Sequence, residues 1–258
     1  MTETVPKLSS VIRVVREQPD ADDLLFVGQE LSAKHLVDGY RAGIFPMELD
    51  LEGKELLGWF SPAVRGVFRL KEIGEFPRSE LRLHRSLRKV LANFEVRVDC
   101  AFSSVVGYCA TLRQQGNWIS PAYFGHYMDL FDMGIAHSVE AYIGGELVGG
   151  LFGVAIGGLF SGESMFHIAP NASKVAFVGL VLILEGLGFE LIDGQWSTPH
   201  LETLGFVRLD RLSYLSDLGR LTSCTNKVFP PGMRIEKGLW NEAMEEYRRH
   251  PEPPIRRL

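Results

Sequence analysis

The stretch running from residue 137 to 166, HSVEAYIGGELVGGLFGVAIGGLFSGESMF, constrains the fold more than any other part of the chain. Its three apolar runs are punctuated by Gly144-Gly145 and Gly157-Gly158. Paired glycines supply the positive φ values of tight hairpin turns, so the stretch predicts an antiparallel meander of three strands. The apolar segment from about 171 to 187 predicts a helix. A strand over FELIDGQ, a short helix over HLETLGF and a final strand over VRLDRLSYL follow it. One acid, Glu163, stands between Phe160 and Met165 near the end of the third run. A buried charge is costly unless it is paired, so this carboxyl has either a backbone partner or a functional one.

Upstream, LSAKHLVDGYRAGIFP reads as a helix with Ser32 as N-cap and Leu36, Val37 and Tyr40 on one side. Gly43 ends it and Pro46 prevents its resumption. Residues 47–70 read as strands with a turn at Gly53-Lys54, and residues 1–20 as loosely structured. A basic helix is expected over 79–92, then the strand FEVRVDCAF and two helices over 102–115 and 121–134. The chain beyond 224 is rich in proline and charge, with LWNEAMEEYRRH as one more surface helix.

A length of 258 residues suits one large domain, or a small one beside a medium one. The net charge of −5 argues against a protein that coats nucleic acid, but phosphate binding needs only a local basic face. RLHRSLRK offers such a face in Arg82, Arg85, Arg88 and Lys89, which reads equally as a solvated helix surface. The 3 cysteines form no CxxC pair and their number is odd, which points to reduced cytosolic thiols. The first ten residues carry no apolar signal region, and the longest apolar run, Val175 to Leu184, is too short for a bilayer span. The 7 histidines show no HExxH or paired ligand spacing, so no metal is expected. Neither the cysteines nor Ser161 have a neighbouring histidine motif, which argues against covalent catalysis.

The helix that ends in Leu-Gly-Phe before a last strand resembles the end of the GNAT acyltransferase fold. An acyl-CoA-dependent GNAT opens its central helix with a glycine-rich loop whose backbone N–H groups bind pyrophosphate. The corresponding stretch here, HIAPNASK, has no glycine, which argues against CoA. Instead GYRAGIFP, WFSPAVRG, NWIS, GESMF with NASK, LIDGQ and HLETLGF together resemble the bacterial leucyl/phenylalanyl-tRNA–protein transferases from about residue 24 to 215. The resemblance implies an α+β chain: a small mixed α/β N-terminal domain (1–72), a GNAT-like catalytic domain (73–223) and a C-terminal extension (224–258). It implies transfer of leucine or phenylalanine from Leu-tRNA or Phe-tRNA to proteins with N-terminal Arg or Lys. The expected protein is cytoplasmic, monomeric, free of any membrane, and needs no cofactor.

The same resemblance assigns residues. Glu163 would pair with the guanidinium or ammonium of the acceptor, or orient the aminoacyl end. Asp193 and Gln195, two apart in LIDGQ, would share one face of a strand. Asp193 would receive or electrostatically stabilise the proton of the attacking α-amine, and Gln195 would fix its geometry. Leu151, Phe160, Met165, Leu180 and Ile192 would form the side-chain pocket, with core packing as the other reading of each. Trp118 and Met47 would lie at the 3′ adenosine, although the family has Trp where Met47 stands. Ala92 and Asn93 interrupt the basic patch, leaving Arg113, Arg248, Arg249, Arg256 and Arg257 as further cations for tRNA. His200 matches the family but reads as structural. The alternatives are a related tRNA-dependent aminoacyltransferase acting on another amine, and a non-catalytic tRNA-binding module.

Overall fold

The glycine-paired stretch folds as a meander: β6 (Ala136–Ile143), β7 (Glu146–Ile156) and β8 (Leu159–His167) pair antiparallel in succession. Gly144, Gly145 and Gly157 turn with φ of 61°, 90° and 59°, a region that side chains rarely adopt. Helix α6 (Ala172–Gly186) then crosses back, so that β9 (Leu191–Trp196) runs parallel to β8. These positions belong to a computed structural model that describes residues 5–18, 22–28, 31–51, 54–73, 77–112, 119–224, 227–236 and 239–249.

Two more segments complete the larger sheet from far away in sequence. Strand β4 (Val64–Arg69) inserts between β9 and β10 (Val207–Asp210), antiparallel to both. At the other edge β5 (Glu95–Val98) pairs with β6 and with the short β11 (Arg234–Ile235). The resulting eight-stranded order is β10-β4-β9-β8-β7-β6-β5-β11. A separate three-stranded antiparallel sheet holds β1 (Leu24–Gly28), β3 (Lys54–Phe60) and β2 (Phe45–Leu51), with β3 central.

Helix α2 (Ala33–Ala42) begins and ends where local chemistry dictates. The Ser32 side chain accepts from the His35 N–H at 3.1 Å, and Gly43 closes the helix with a left-handed φ of 78°. Helices α4 (Phe102–Thr111) and α5 (Pro121–Asp132), the latter capped by Ser120, cover β6–β8. One core joins these helices and α2 to the small sheet; a second packs α6, Phe68 and Val96 against the other side.

Several expectations need correction. Residues 8–17 form helix α1 (Leu8–Glu17), with Val11 and Val15 buried. The final strand stops at Asp210, whose carboxylate accepts from the Ser213 N–H at 2.9 Å and starts helix α8 (Arg211–Ser223). Leu215, Leu218 and Leu221 are buried on it at helical spacing. The basic helix is short, α3 (Arg85–Val90) followed by one 3-10 turn (Leu91–Asn93). Backbone donors ahead of it are committed elsewhere: the Ser79 N–H to the Arg69 carbonyl and the Arg82 N–H to the Leu204 carbonyl. Arg82 therefore lies outside the helix. Helix α7 is also shorter than expected (Pro199–Glu202), and β5 stops before Asp99, which takes a φ of 55°.

The last helix, α9 (Trp240–Arg249), is not a surface appendage. Trp240 and Met244 are buried in the second core, and the Trp240 indole N–H donates to the Phe94 carbonyl at 2.8 Å. The expected turn at Gly53 and the residues Arg113, Trp118, Arg256 and Arg257 lie outside the described residues. Among the described residues no helix is long and apolar enough to cross a membrane.

Candidate active site

Strands β8 and β9 open onto a cavity of about 290 Å³. Leu151, Phe160, Met165, Leu180 and Ile192 all line it, as do Glu163, Asp193, Gln195 and Met47. Leu151, Phe160, Leu180 and Ile192 are at the same time members of the second core, so the pocket wall and the core are one packed surface. Phe177 and Phe206, which pack together with ring centroids 5.3 Å apart, add aromatic wall that the sequence reading missed. Arg85, Arg88 and Lys89 are exposed on or beside α3 and take no part in the lining. Arg82 is exposed too, its guanidinium donating to the Glu202 carbonyl at 3.0 Å.

Glu163 sits at a bulge. Phe152 pairs with Ser164 and Gly153 with Gly162, which leaves Glu163 as the extra residue of β8. Tyr127 on α5 donates its hydroxyl to Oε2 at 2.7 Å, and the Gln195 amide donates to Oε1 at 3.3 Å. Tyr40 on α2 extends the chain, its hydroxyl 3.3 Å from that of Tyr127. No described lysine, arginine or histidine lies within ion-pair distance of Glu163. Burial pushes its carboxyl up to about 7, against the opposing hydrogen bonds from the two tyrosines. The acid is thus hydrogen-bonded but uncompensated, and it faces an apolar recess.

Asp193 is the opposite case. It pairs with Arg65 of β4, both side chains being 1% exposed. Arg65 Nε donates to Oδ1 at 2.9 Å and an Arg65 NH2 donates to Oδ2 at 2.6 Å. The Gln195 N–H and the Tyr214 hydroxyl bring the donors on its two oxygens to four, at 2.8 and 2.9 Å. The two-residue alternation expected through LIDGQ does not hold. Gln195 adopts a φ of 63°, and the register against β4 shifts between Arg65 and Val67.

Trp196 follows on the cavity wall beside Met47, its indole N–H donating to Asp23 at 2.7 Å and its ring edge-on to Phe45. His200, expected to be structural, lies at the cavity and is exposed. Burial of its ring, then Lys174 and His167, push its pKa down. Arg65 and Tyr40 stand inside motifs quoted above, but no local pattern marks them as site residues. Tyr214 was hidden by the strand assignment, and Tyr127 by a helix rich in aromatic residues.

A second uncompensated acid lies at the start of α4. Glu140 is fully buried, accepts from Ser138 Oγ at 2.5 Å and from the Cys100 and Ala101 N–H groups at 3.2 Å, and leaves Oε2 without a partner. Burial raises its pKa from 4.5 to about 7. The native state then holds a proton that the unfolded chain has released, so stability falls as pH rises from about 4.5 to about 7 and levels off above. The shift corresponds to about 3 kcal/mol. Glu95, Glu190 and Asp210 are shifted downward, so their contributions are lost only at lower pH. Glu163 is shifted to about the same value, so Glu140→Gln is expected to remove roughly half of the decline between pH 5 and 7.5 in a denaturant titration; an unchanged slope would remove Glu140 as one of its sources.

A mixed sheet whose parallel strand pair opens onto an apolar recess, with an uncompensated acid and a backbone-locked glutamine at the recess wall, defines a binding site for a ligand part apolar and part polar. Residues 76–219 match the family model described as leucyl/phenylalanyl-tRNA protein transferase. Residues 29–63 match that of the N-terminal domain of the same transferase. The leucyl/phenylalanyl-tRNA–protein transferase of Thiobacillus denitrificans is 45% identical over 208 residues, covering 79% of this chain and 86% of the relative. That of Azotobacter vinelandii is 48% identical over 195 residues, covering 74% and 81%. The chain belongs to the leucyl/phenylalanyl-tRNA protein transferase family.

Proposed function

We propose that the protein transfers leucine or phenylalanine from Leu-tRNA or Phe-tRNA to the α-amine of proteins that begin with Arg or Lys. One observation carries the acceptor choice: Glu163 is a buried carboxyl with hydrogen-bond donors but no described cation beside it. A guanidinium or ammonium supplies the missing charge with a directed hydrogen bond. The apolar recess of Leu151, Phe160, Met165, Leu180 and Ile192 takes the side chain of the donor. Met165 suits both a branched aliphatic chain and a ring, because its thioether is flexible.

The donor ester is already activated, so the chemistry asked of the protein is modest. The neutral acceptor amine, roughly a tenth of the total near pH 7, forms the new C–N bond. The ester C–O bond breaks, and the proton shed by the amine ends on the departing ribose oxygen. Gln195, whose amide nitrogen is spent on Glu163, offers its oxygen to the amine and so fixes the angle of attack. Asp193, with four donors on its two oxygens, acts electrostatically on the positive charge that develops there rather than by taking a proton. The 3′ adenosine lies against Met47, with Trp118, outside the described residues, assigned to it by the family motif alone, and the tRNA backbone follows Arg82, Arg85, Arg88 and Lys89.

The GNAT-like reading of residues 73–223 is supported by the meander, the crossing helix α6 and the parallel β8–β9 pair. The division at about residue 72 agrees with two separate family matches, although β4 joins the larger sheet. We place the protein in the cytoplasm as a monomer; its three described cysteines are free thiols.

The test is labelled Leu-tRNA or Phe-tRNA incubated with Arg-starting, Lys-starting and Ala-starting peptides. Product is expected with the first two only. Glu163→Gln should raise KM for the Arg peptide roughly tenfold or more, because a charge-assisted hydrogen bond contributes about 1.5–3 kcal/mol. KM for tRNA should hardly change. Wild-type KM for the peptide should fall as pH rises through about 7, where Glu163 ionises, and the variant should lose that limb. Equal losses for both substrates would take acceptor recognition away from Glu163. Equal transfer to the Ala peptide would place the reaction on another amine.

A further inference from the structure

WFSPAVRG contains one residue whose placement the proposed reaction has not used. Arg65 is buried in β4, and its partner Asp193 lies 128 residues further along the chain. The pairing is fork to fork: Nε donates to Oδ1 at 2.9 Å and an NH2 to Oδ2 at 2.6 Å. This geometry fixes both groups in one plane, which a lysine cannot do. The guanidinium is held between rings, 5.0 Å from the centroid of Phe45 and 4.4 Å from that of Tyr214, and it donates to the Gly43 carbonyl at 3.3 Å. Tyr214 closes the arrangement by donating its hydroxyl to Asp193 Oδ2 at 2.9 Å.

Asp193 oriented in this way has one further duty. Its Oδ1 accepts the backbone N–H of Gln195 at 2.8 Å. Gln195 is one of only three non-glycine residues with positive φ among the described residues, at 63°. A left-handed conformation is disfavoured for a residue with a Cβ, so something nearby must offset it. The register against β4 shifts at the same place: Arg65 pairs with Trp196, while Val67 pairs with Asp193. The residue so distorted is the one whose side-chain amide reaches Glu163 Oε1 at 3.3 Å.

We infer that Arg65 is a positioning residue for acyl transfer: by holding Asp193 bidentately it locks Gln195 in the left-handed bulge that aims its amide at Glu163. The inference rests on the proposed reaction and assigns a residue to it. A pair that merely ties β4 to β9 would stabilise the sheet without any coupling to the Gln195 side chain. That difference is measurable as non-additivity.

The experiment is a double-mutant cycle in single-turnover transfer from Phe-tRNA to an Arg-starting peptide, with wild type, Arg65→Lys, Gln195→Ala and the double variant. Arg65→Lys keeps the charge and loses the fork, and it should lower kcat about tenfold to a hundredfold, as a small misplacement of a reacting group does. KM for Phe-tRNA should stay within about threefold, since no phosphate contact is touched. In the Gln195→Ala background the same substitution should cost less than about threefold. Equal losses in both backgrounds, or no loss in the first, would overturn the inference while leaving the proposed reaction intact. A wild-type chain that makes no peptide bond would instead overturn that reaction and the inference with it. If thermal melts show Arg65→Lys to be unfolded, Arg65→Gln replaces it. That variant keeps a planar amide donor towards Asp193, loses the two-armed fork, and is held to the same criterion.

Discussion

Asparagine at position 193 is expected to lower the free energy of unfolding by about 3–5 kcal/mol, in addition to slowing transfer. The cause is the residue left behind. Arg65 is 1% exposed, and without the carboxylate its charge would be buried and uncompensated. Burial by itself pulls the Arg65 pKa down; the charge of Asp193 more than reverses this and holds it above the usual arginine value. Without that charge the burial cost is unopposed, yet an arginine does not give up its proton inside a protein, so the guanidinium will stay charged in the variant. Asparagine still accepts the Gln195 N–H through its oxygen, so the backbone hydrogen bond alone does not explain the loss. Urea unfolding of wild type and Asp193→Asn measures the effect directly. Pairing Asp193→Leu with Arg65→Met should restore most of the stability, because similar-sized apolar pairs replace buried ion pairs at little cost, while transfer should stay impaired. A single variant as stable as wild type would mean that water or a shifted side chain compensates the charge.

Gly205→Ala should be nearly as damaging, with a loss of about 2–5 kcal/mol from strain and overlap together. Gly205 has a φ of 109°, a region that glycine alone tolerates without strain. A Cβ there would be driven into the Glu80 carbonyl oxygen, a backbone atom that cannot rotate away, and would press on the Phe68 ring. The strain falls at a functional place. Phe206 follows in the cavity wall, and the Leu204 carbonyl holds the Arg82 N–H. Thermal melts should therefore show a depressed midpoint, and the residual folded enzyme should discriminate less sharply between Phe-tRNA and Ala-tRNA. A melt that overlays wild type would mean that the 79–84 segment can move aside freely.

The parts of this architecture that were legible in the sequence are those whose cause is local. Gly144-Gly145 and Gly157-Gly158 announce hairpins by themselves, and Ser32 and Gly43 mark the ends of a helix through their own side chain or lack of one. The apolar residues of the cavity were legible because the motifs around them resemble a family. Helix α1 was not, since ten residues form no stable helix alone; its Val11 and Val15 are ordered by packing against α8 and α2. Helix α8 was obscured by the alternation in VRLDRLSYL, although Asp210 is by itself an N-cap residue type ahead of leucines at helical spacing. The basic helix was drawn too long because the residues expected to begin it spend their backbone hydrogen bonds on β4 and on Leu204, just past α7. Least legible was the Arg65–Asp193 pair, whose members are brought together only by the strand order.

That strand order also has a temporal side. Strand β4 leaves the ribosome early, yet both of its neighbours, β9 and β10, are made more than a hundred residues later. Until then its hydrogen-bonding edges and the Arg65 charge lack their native partners. Contacts of such long sequence separation incur loop-closure entropy before any gain and slow the folding of the whole domain. Asp193 and Tyr214 enter during the same late stage, so the reaction centre is assembled when the sheet closes and no earlier. A nascent chain that ends before β9 thus has the meander but neither Asp193 nor Gln195, and one that ends before α8 still lacks the Tyr214 hydroxyl that completes the set of donors on Asp193.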